Sequence, residues 1–242
     1  MFVDAHCHLH EFSEEEVERF SKEFYIVAVS DDYESSLKTI ELASSFPNII
    51  PCVGIHPWEV KNVSNDEVER IIRLVAKKDI ICLGEIGLDK LFTPQTFERQ
   101  LEVFKSFISL ASEQDLIVNV HAAGAWREVF ELVTEFSMKR VIFHWYTGPL
   151  NLLKRVVERG YYITVNPAVK IQKKLRSVLK QVDIHYMLTE SDGPYKYRGL
   201  FLAPPMVREL VEYISQVRGI STEDLRETVL GNFKRLFKVS IN

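Results

Sequence analysis

Four histidines and two carboxylates of this chain each stand at the end of a short apolar run. Phe2-Val3-Asp4-Ala5 leads into His6-Cys7-His8. Side chains on a strand alternate faces, so His6 and His8 point the same way, with Cβ atoms roughly 7 Å apart. Further along come Glu85 within Gly84-Glu85-Ile86-Gly87, His121 after Leu116–Val120, His144 after Val141-Ile142-Phe143, and Asp192 within Thr189-Glu190-Ser191-Asp192. Imidazoles and carboxylates in this mixture are ligands for divalent metals. A lone His-x-His pair says little, but six ligand-type residues at the ends of five apolar runs point to a metal centre. A catalytic zinc takes about three protein ligands and a water. Six ligands therefore fit two ions about 3.5–4 Å apart that share a carboxylate. Glu85, with glycines on both sides in sequence, is the candidate for that shared position. The chemistry would be hydrolysis by a two-metal activated hydroxide. Asp192 is the candidate for the carboxylate that both ligates and accepts the proton of the attacking water.

Such residues must be positioned by a scaffold, and the chain alternates short β-rich runs with longer amphipathic ones. Strands are expected at Phe24–Val29, Asn48–Gly54, Ile80–Gly84, Leu116–Val120, Val141–Phe143, Tyr161–Val165 and His185–Thr189, besides the first. Helices are expected near Glu14–Phe20, Tyr33–Ser44, Asp66–Lys77, Trp126–Phe136, Leu150–Glu158 and Lys170–Lys180, with a last helical region from Pro205 to Phe237. A further helix is read to start with Thr93 as N-cap and Pro94 at its first position. Eight strand–helix alternations predict an α/β fold, a single (β/α)8 TIM barrel over 1–242. In such a barrel the strand C-termini all open on one face, where active sites lie. An open doubly wound sheet is the runner-up, but the Gly-rich phosphate turn expected after its first strand is missing.

The 242 residues suit one large barrel, and 46% hydrophobic residues can build its core. No apolar run reaches the ~18 residues of a membrane span, and no secretory pattern opens the chain. Cys7, Cys52 and Cys82 lie on apolar segments and are read as reduced and buried, in a cytoplasmic protein with no membrane partner. A net charge of −4 speaks against bulk electrostatic coating of nucleic acid, though not against a local groove or a metal-supplied positive charge. Nothing in the composition fixes the oligomeric state, and a monomer is compatible with it.

Substrate contacts are read from three further places. His56 follows the third strand and can donate to a phosphate. Tyr195-Lys196-Tyr197-Arg198 interleaves aromatics with cations just after Asp192, the chemistry for stacking a base and holding a phosphate. Tyr195 and Arg198 are the candidates there. Trp145 and Tyr146 could add a stacking wall, and Asp89 could orient a ligand from behind.

Taken together, Asp4-Ala5-His6-Cys7-His8-Leu9, Gly54-Ile55-His56-Pro57, Gly84-Glu85-Ile86-Gly87-Leu88-Asp89, Val120-His121, Phe143-His144-Trp145 and Glu190-Ser191-Asp192-Gly193-Pro194 resemble the TatD family of metal-dependent deoxyribonucleases, within the amidohydrolase-type barrels. Gly231-Asn232-Phe233-Lys234-Arg235-Leu236-Phe237 is similar to that family's closing helix, so the resemblance spans nearly the whole chain. It implies that His6, His8, Glu85 and Asp192 hold one metal and that Glu85, His121 and His144 hold the other. It implies two divalent ions, magnesium, manganese or zinc. It also implies phosphodiester hydrolysis on DNA, from the 3′ end and with single strands favoured. The sequence departs from the family where an arginine is expected after His121, since His121-Ala122-Ala123-Gly124-Ala125 has none, and Lys90 stands where an aromatic is common. The ligand set is intact, so these departures bear on substrate. A same-barrel hydrolase of a small ester, lactone or amide is the alternative, because activated water can also attack a carbonyl.

Overall fold

The computed structural model describes residues 1–238. Strands β1 (Phe2–Cys7), β2 (Phe24–Val29), β3 (Ile49–Val53), β4 (Cys82–Gly87), β5 (Ile117–His121), β6 (Arg140–Phe143), β7 (Tyr162–Val165) and β8 (Met187–Thr189) form one sheet in sequence order. The β3–β4, β4–β5, β5–β6 and β7–β8 ladders are parallel. At the other edge β8 returns to β1, where the Thr189 hydroxyl donates to the Val3 carbonyl at 2.5 Å. The expected (β/α)8 barrel is the fold. The helices are α1 (Glu14–Ser21), α2 (Tyr33–Ser45), α3 (Asn65–Lys77), α4 (Phe97–Glu113), α5 (Trp126–Glu135), α6 (Leu150–Glu158), α7 (Lys173–Gln181), α8 (Met206–Arg218) and α9 (Thr222–Phe237). Among the described residues no helix is long and apolar enough to cross a membrane.

The described residues pack as two compact units, residues 1–27 with those from 144 onward, and residues 28–143. In the first, α8 and α9 bury Leu210, Ile214, Phe233 and Leu236. Ser13 caps α1 through a full capping box with Glu16. The single helical region expected over 205–237 is two helices, because Gly219 takes a left-handed conformation and ends α8. An unanticipated hairpin, β9 (Tyr195–Tyr197) with β10 (Leu200–Leu202), follows β8. Its turn residues Arg198 and Gly199 both have positive φ, at 47° and 89°, as a two-residue type I′ turn requires. The eighth strand is also shorter than expected, since Ile184–Tyr186 forms a 3₁₀ turn ahead of it.

In the second unit α3, α4 and α5 bury Ile71, Phe104, Phe107 and Phe130. Helix α4 proper begins at Phe97, after a 3₁₀ turn over Pro94–Thr96. Thr93 does not cap it, because its carbonyl and hydroxyl oxygens accept from the Gln100 side-chain amide instead. The reading of three reduced cysteines is corrected here. Cys7 is free and buried, but Cys52 and Cys82 are joined in a disulfide. The parallel register sets Cys52 opposite Cys82 with Cα atoms 4.5 Å apart, and both side chains are buried. That register depends on how two strands 30 residues apart align, which local sequence does not reveal.

Candidate metal centre

Each unit carries its own cluster of ligand-type groups. In the first, ligand-type atoms of His6, His8 and Asp192 all lie within 4.8 Å of one another. His6 Nε2 is 3.4 Å and His8 Nε2 3.7 Å from Asp192 Oδ1. The end of β1 is laced to the segment that carries Asp192. The Asp192 amide donates to the His6 carbonyl at 2.9 Å, and the His8 amide to the Gly193 carbonyl at 2.8 Å. Asp192 itself has φ 56°, a left-handed conformation that a non-glycine residue seldom adopts, here at a candidate ligand. Burial opposes ionisation of Asp192, but the imidazoles of His8, His144 and His6 outweigh it and hold the carboxyl below its ordinary value.

His144 stacks on His6 with ring centroids 4.0 Å apart. Behind it stands Glu190, whose Oε2 is 3.8 Å from His144 Nδ1 and whose Oε1 accepts from the Trp145 amide and the Asn166 side chain. Glu190 is fully buried, and Oε2 has no hydrogen-bond partner among the described residues. Asp4 is buried too. Its Oδ1 accepts the Ser191 amide at 2.8 Å, and burial pushes its pKa up to about 7 against the bonds from Ser191. Asp4 and Glu190 were not among the sequence candidates. Their signal, a carboxylate two residues before a ligand, lies inside the motifs already quoted.

In the second unit His56, Glu85 and His121 form the other cluster. Glu85 owes its position to a bulge. Leu83 pairs with Val118 and Ile86 with Val120, so β4 carries one residue more than β5 across that interval. A bulge re-aims the side chain it contains. The next pair, Gly87 with His121, needs a glycine, since a Cβ at Gly87 would stand 2.0 Å from the His121 carbonyl oxygen. His121 Nδ1 is 2.7 Å from Glu85 Oε1, and its Nε2 is 3.0 Å from Asp89 Oδ2. A carboxylate behind an imidazole fixes its orientation and raises its basicity as a ligand. Burial works against the Asp89 charge, yet the bond and charge of His121, with donors at Phe92 and Trp58, lower its pKa to about 2.

His56 Nε2 sits 3.3 Å from Glu85 Oε1. Its Nδ1 accepts the Trp58 amide at 3.2 Å, so a neutral imidazole carries its proton on Nε2, facing the carboxylate. In that tautomer His56 is a donor rather than a ligand.

Both clusters fit divalent cations by their donor chemistry. One offers two imidazoles and a carboxylate, and the other a carboxylate and an imidazole that a second carboxylate backs.

The aromatic candidates lie in the first unit. Trp145, at φ 39°, donates its indole N–H to Gln172 at 2.9 Å. Tyr197 and Tyr195 pack edgewise on it, with centroids at 5.1 and 6.1 Å. Asp192 is near enough that its charge helps to raise the Tyr195 pKa, after burial, the larger cause. Arg198 sits at the hairpin tip with its guanidinium over the Tyr197 ring. Tyr146 is fully buried and donates to the Pro149 carbonyl, so it packs inside rather than forming a wall.

The fold and its metal-type clusters define a metal-dependent hydrolase barrel. A family model described as TatD related DNase matches residues 3–238, and the chain belongs to that family. An "Uncharacterized metal-dependent hydrolase" of Methanocaldococcus jannaschii is 29% identical, the alignment covering 98% of this chain and 97% of the relative. A Danio rerio protein named "Putative deoxyribonuclease tatdn3" is 28% identical over 98% of this chain and 97% of its own length. Among solved structures, the TatD homologue YjjV of Escherichia coli superposes with a TM-score of 0.90 at 22% identity, covering 99% of this chain and 98% of its own.

Proposed function

We propose that this metal-dependent hydrolase is a deoxyribonuclease that cleaves phosphodiester bonds from the 3′ ends of single-stranded DNA. The observation that carries the reading is the duplicated donor set, His6, His8 and Asp192 in one unit and Glu85 and His121 in the other. In this reading these residues and His144 hold two divalent ions, Mg, Mn or Zn, within one barrel domain. When bound, such ions polarise the phosphoryl oxygens and supply an acidic water.

The remaining work falls to the chain's own groups. Asp192, ionised at neutral pH, accepts the proton of the attacking water at a carboxylate oxygen. Asp89 keeps the His121 ring oriented. His56 offers its Nε2 proton to a non-bridging oxygen of the substrate. Tyr195, standing with Trp145 and Tyr197, stacks on a base, and Arg198 beside them meets the phosphate backbone.

The test is degradation of an end-labelled single-stranded oligonucleotide with each metal and with a chelator. Wild type should give a metal-dependent ladder from the 3′ end that Glu85→Ala abolishes. An intact oligonucleotide with every metal, from folded and metal-loaded protein, would overturn the reading. A small ester, lactone or amide substrate is then favoured, and one observation already leans that way. The loop after β5 carries no cation, and Lys90 is engaged by Glu128 and lies over the Phe97 ring.

A further inference from the structure

The loop after β4 combines two properties that seldom occur together. Its successive amides are hydrogen-bonded, yet its tip presents large apolar side chains to solvent. Leu88 N donates to the His121 carbonyl, Asp89 N to Gln100 Oε1, and Lys90 N to the Ala123 carbonyl, at 3.0, 2.7 and 2.9 Å. Leu91 N and Phe92 N both donate to Asp89 Oδ1, at 2.8 and 2.7 Å. Five consecutive amides are thereby held. Gly124, at φ +70°, backs the loop closely, since a Cβ there would stand 3.3 Å from Leu91 N. Nevertheless Leu91 is 64% and Phe92 60% exposed.

A third apolar group joins them. Trp58 donates its indole N–H to Asp89 Oδ2 at 2.6 Å, the same oxygen that His121 Nε2 approaches. Phe92 lies edgewise to Trp58 at 5.7 Å between centroids, and Trp58 lies edgewise to His56 at 5.1 Å. One buried carboxylate thus holds an imidazole of the candidate centre, an indole, and the backbone beneath an exposed phenyl ring. Exposed apolar surface of this kind, rigid and continuous with a site, marks a place where a ligand lies.

We propose that Trp58, Leu91 and Phe92 form a stacking platform for a nucleobase of the substrate, with Asp89 fixing its distance from His121. The proposal rests on the deoxyribonuclease reading and deepens it. A base is the occupant that matches the surface. The platform offers the faces of an indole and a phenyl ring, held through Asp89 beside the imidazole of the candidate centre. Stacking tolerates any base sequence because every base has a π-face.

The test crosses protein variants with a modified ligand. Binding of a fluorescein-labelled single-stranded oligonucleotide to a Glu85→Gln background is read by anisotropy, and cleavage is read with Glu85 intact. Both use an intact oligonucleotide and one whose 3′-terminal segment is abasic. Phe92→Ala and Leu91→Ala remove exposed atoms, so the fold should stand and melting should be little changed. Phe92→Ala should weaken the intact oligonucleotide about five- to a hundredfold and leave the abasic one unchanged. Trp58→Phe, which keeps a ring but loses the bond to Asp89, should fall in between. DNA cleaved and bound with Phe92→Ala indifferent, or weakened equally on both ligands, overturns the platform and leaves the nuclease reading standing. DNA neither bound nor cleaved by the protein with Glu85 intact overturns both together.

Discussion

The two clusters are built on different plans. In residues 28–143 the carboxylates and imidazoles are bonded to one another at 2.7–3.3 Å, and Asp89 and Trp58 brace them from behind. In the other unit His6 Nε2 and His8 Nε2 stand 3.4 and 3.7 Å from Asp192 Oδ1, and backbone bonds add to that hold. There the end of β1 and the 191–193 segment exchange amide bonds, and Asp192 is held at a positive φ. One cluster is braced from behind by side chains, and the other is tied through the main chain that carries its ligands. The first plan should tolerate loss of a metal and suffer from loss of a brace. The second should do the reverse.

The sharpest break comes from the carboxylates themselves. Glu85→Gln and Asp192→Asn should each lower metal-dependent hydrolysis by roughly a hundred- to a thousandfold, the scale of one charge-stabilising group. The difference between the plans should appear in thermal melting with and without chelator. Metal binding stabilises by about 2.7 kcal/mol at a hundred times Kd, and Asp192→Asn should remove more of that increment than His56→Ala does. Equal losses would erase the contrast. Asp89→Asn probes the side-chain plan alone. Through His121 it should cost about ten- to a hundredfold in metal affinity, measured by titration calorimetry.

How far this contrast was legible beforehand differs between its halves. The barrel and the ligand positions could be read because each ligand closes a strand, and strands announce themselves by apolar runs. His56 was visible, but its proton placement depends on the Trp58 amide folding back on Nδ1, a loop geometry that no spacing encodes. Asp89 sits four residues past Glu85, and its hold on an indole 31 residues away in sequence exists only in three dimensions. The β9–β10 hairpin leaves no signal in the sequence because its strands are three residues each, too short for a periodic pattern.

Two smaller effects gauge how firmly each unit is set apart from metal. Gly124→Ala should destabilise by roughly 1–2 kcal/mol, the cost of a left-handed conformation for a residue with a Cβ, read as a lower melting temperature. The last is a pH effect in the other unit. The Ser13 amide and hydroxyl hold the Glu16 carboxyl below its ordinary value of 4.5. A carboxyl lowered by folding contributes stability that is present above its unfolded pKa and lost as pH falls through the folded one. Glu16→Gln should therefore lower melting slightly above pH 4.5 and make no difference in stronger acid.

The bond between Cys52 and Cys82 closes a covalent ring, and α3, His56 and Trp58 all lie inside it. A protease that nicks the chain anywhere from 53 to 81 leaves both pieces tethered on either side of the cut. The nicked protein would run at its full mass on a gel until a reductant is added, and would then fall into two bands. Backbone scission in this stretch therefore need not release the histidine or the indole from the strands that carry them. The ring makes this arc of the barrel a circular segment, with its ends fixed by chemistry rather than by packing.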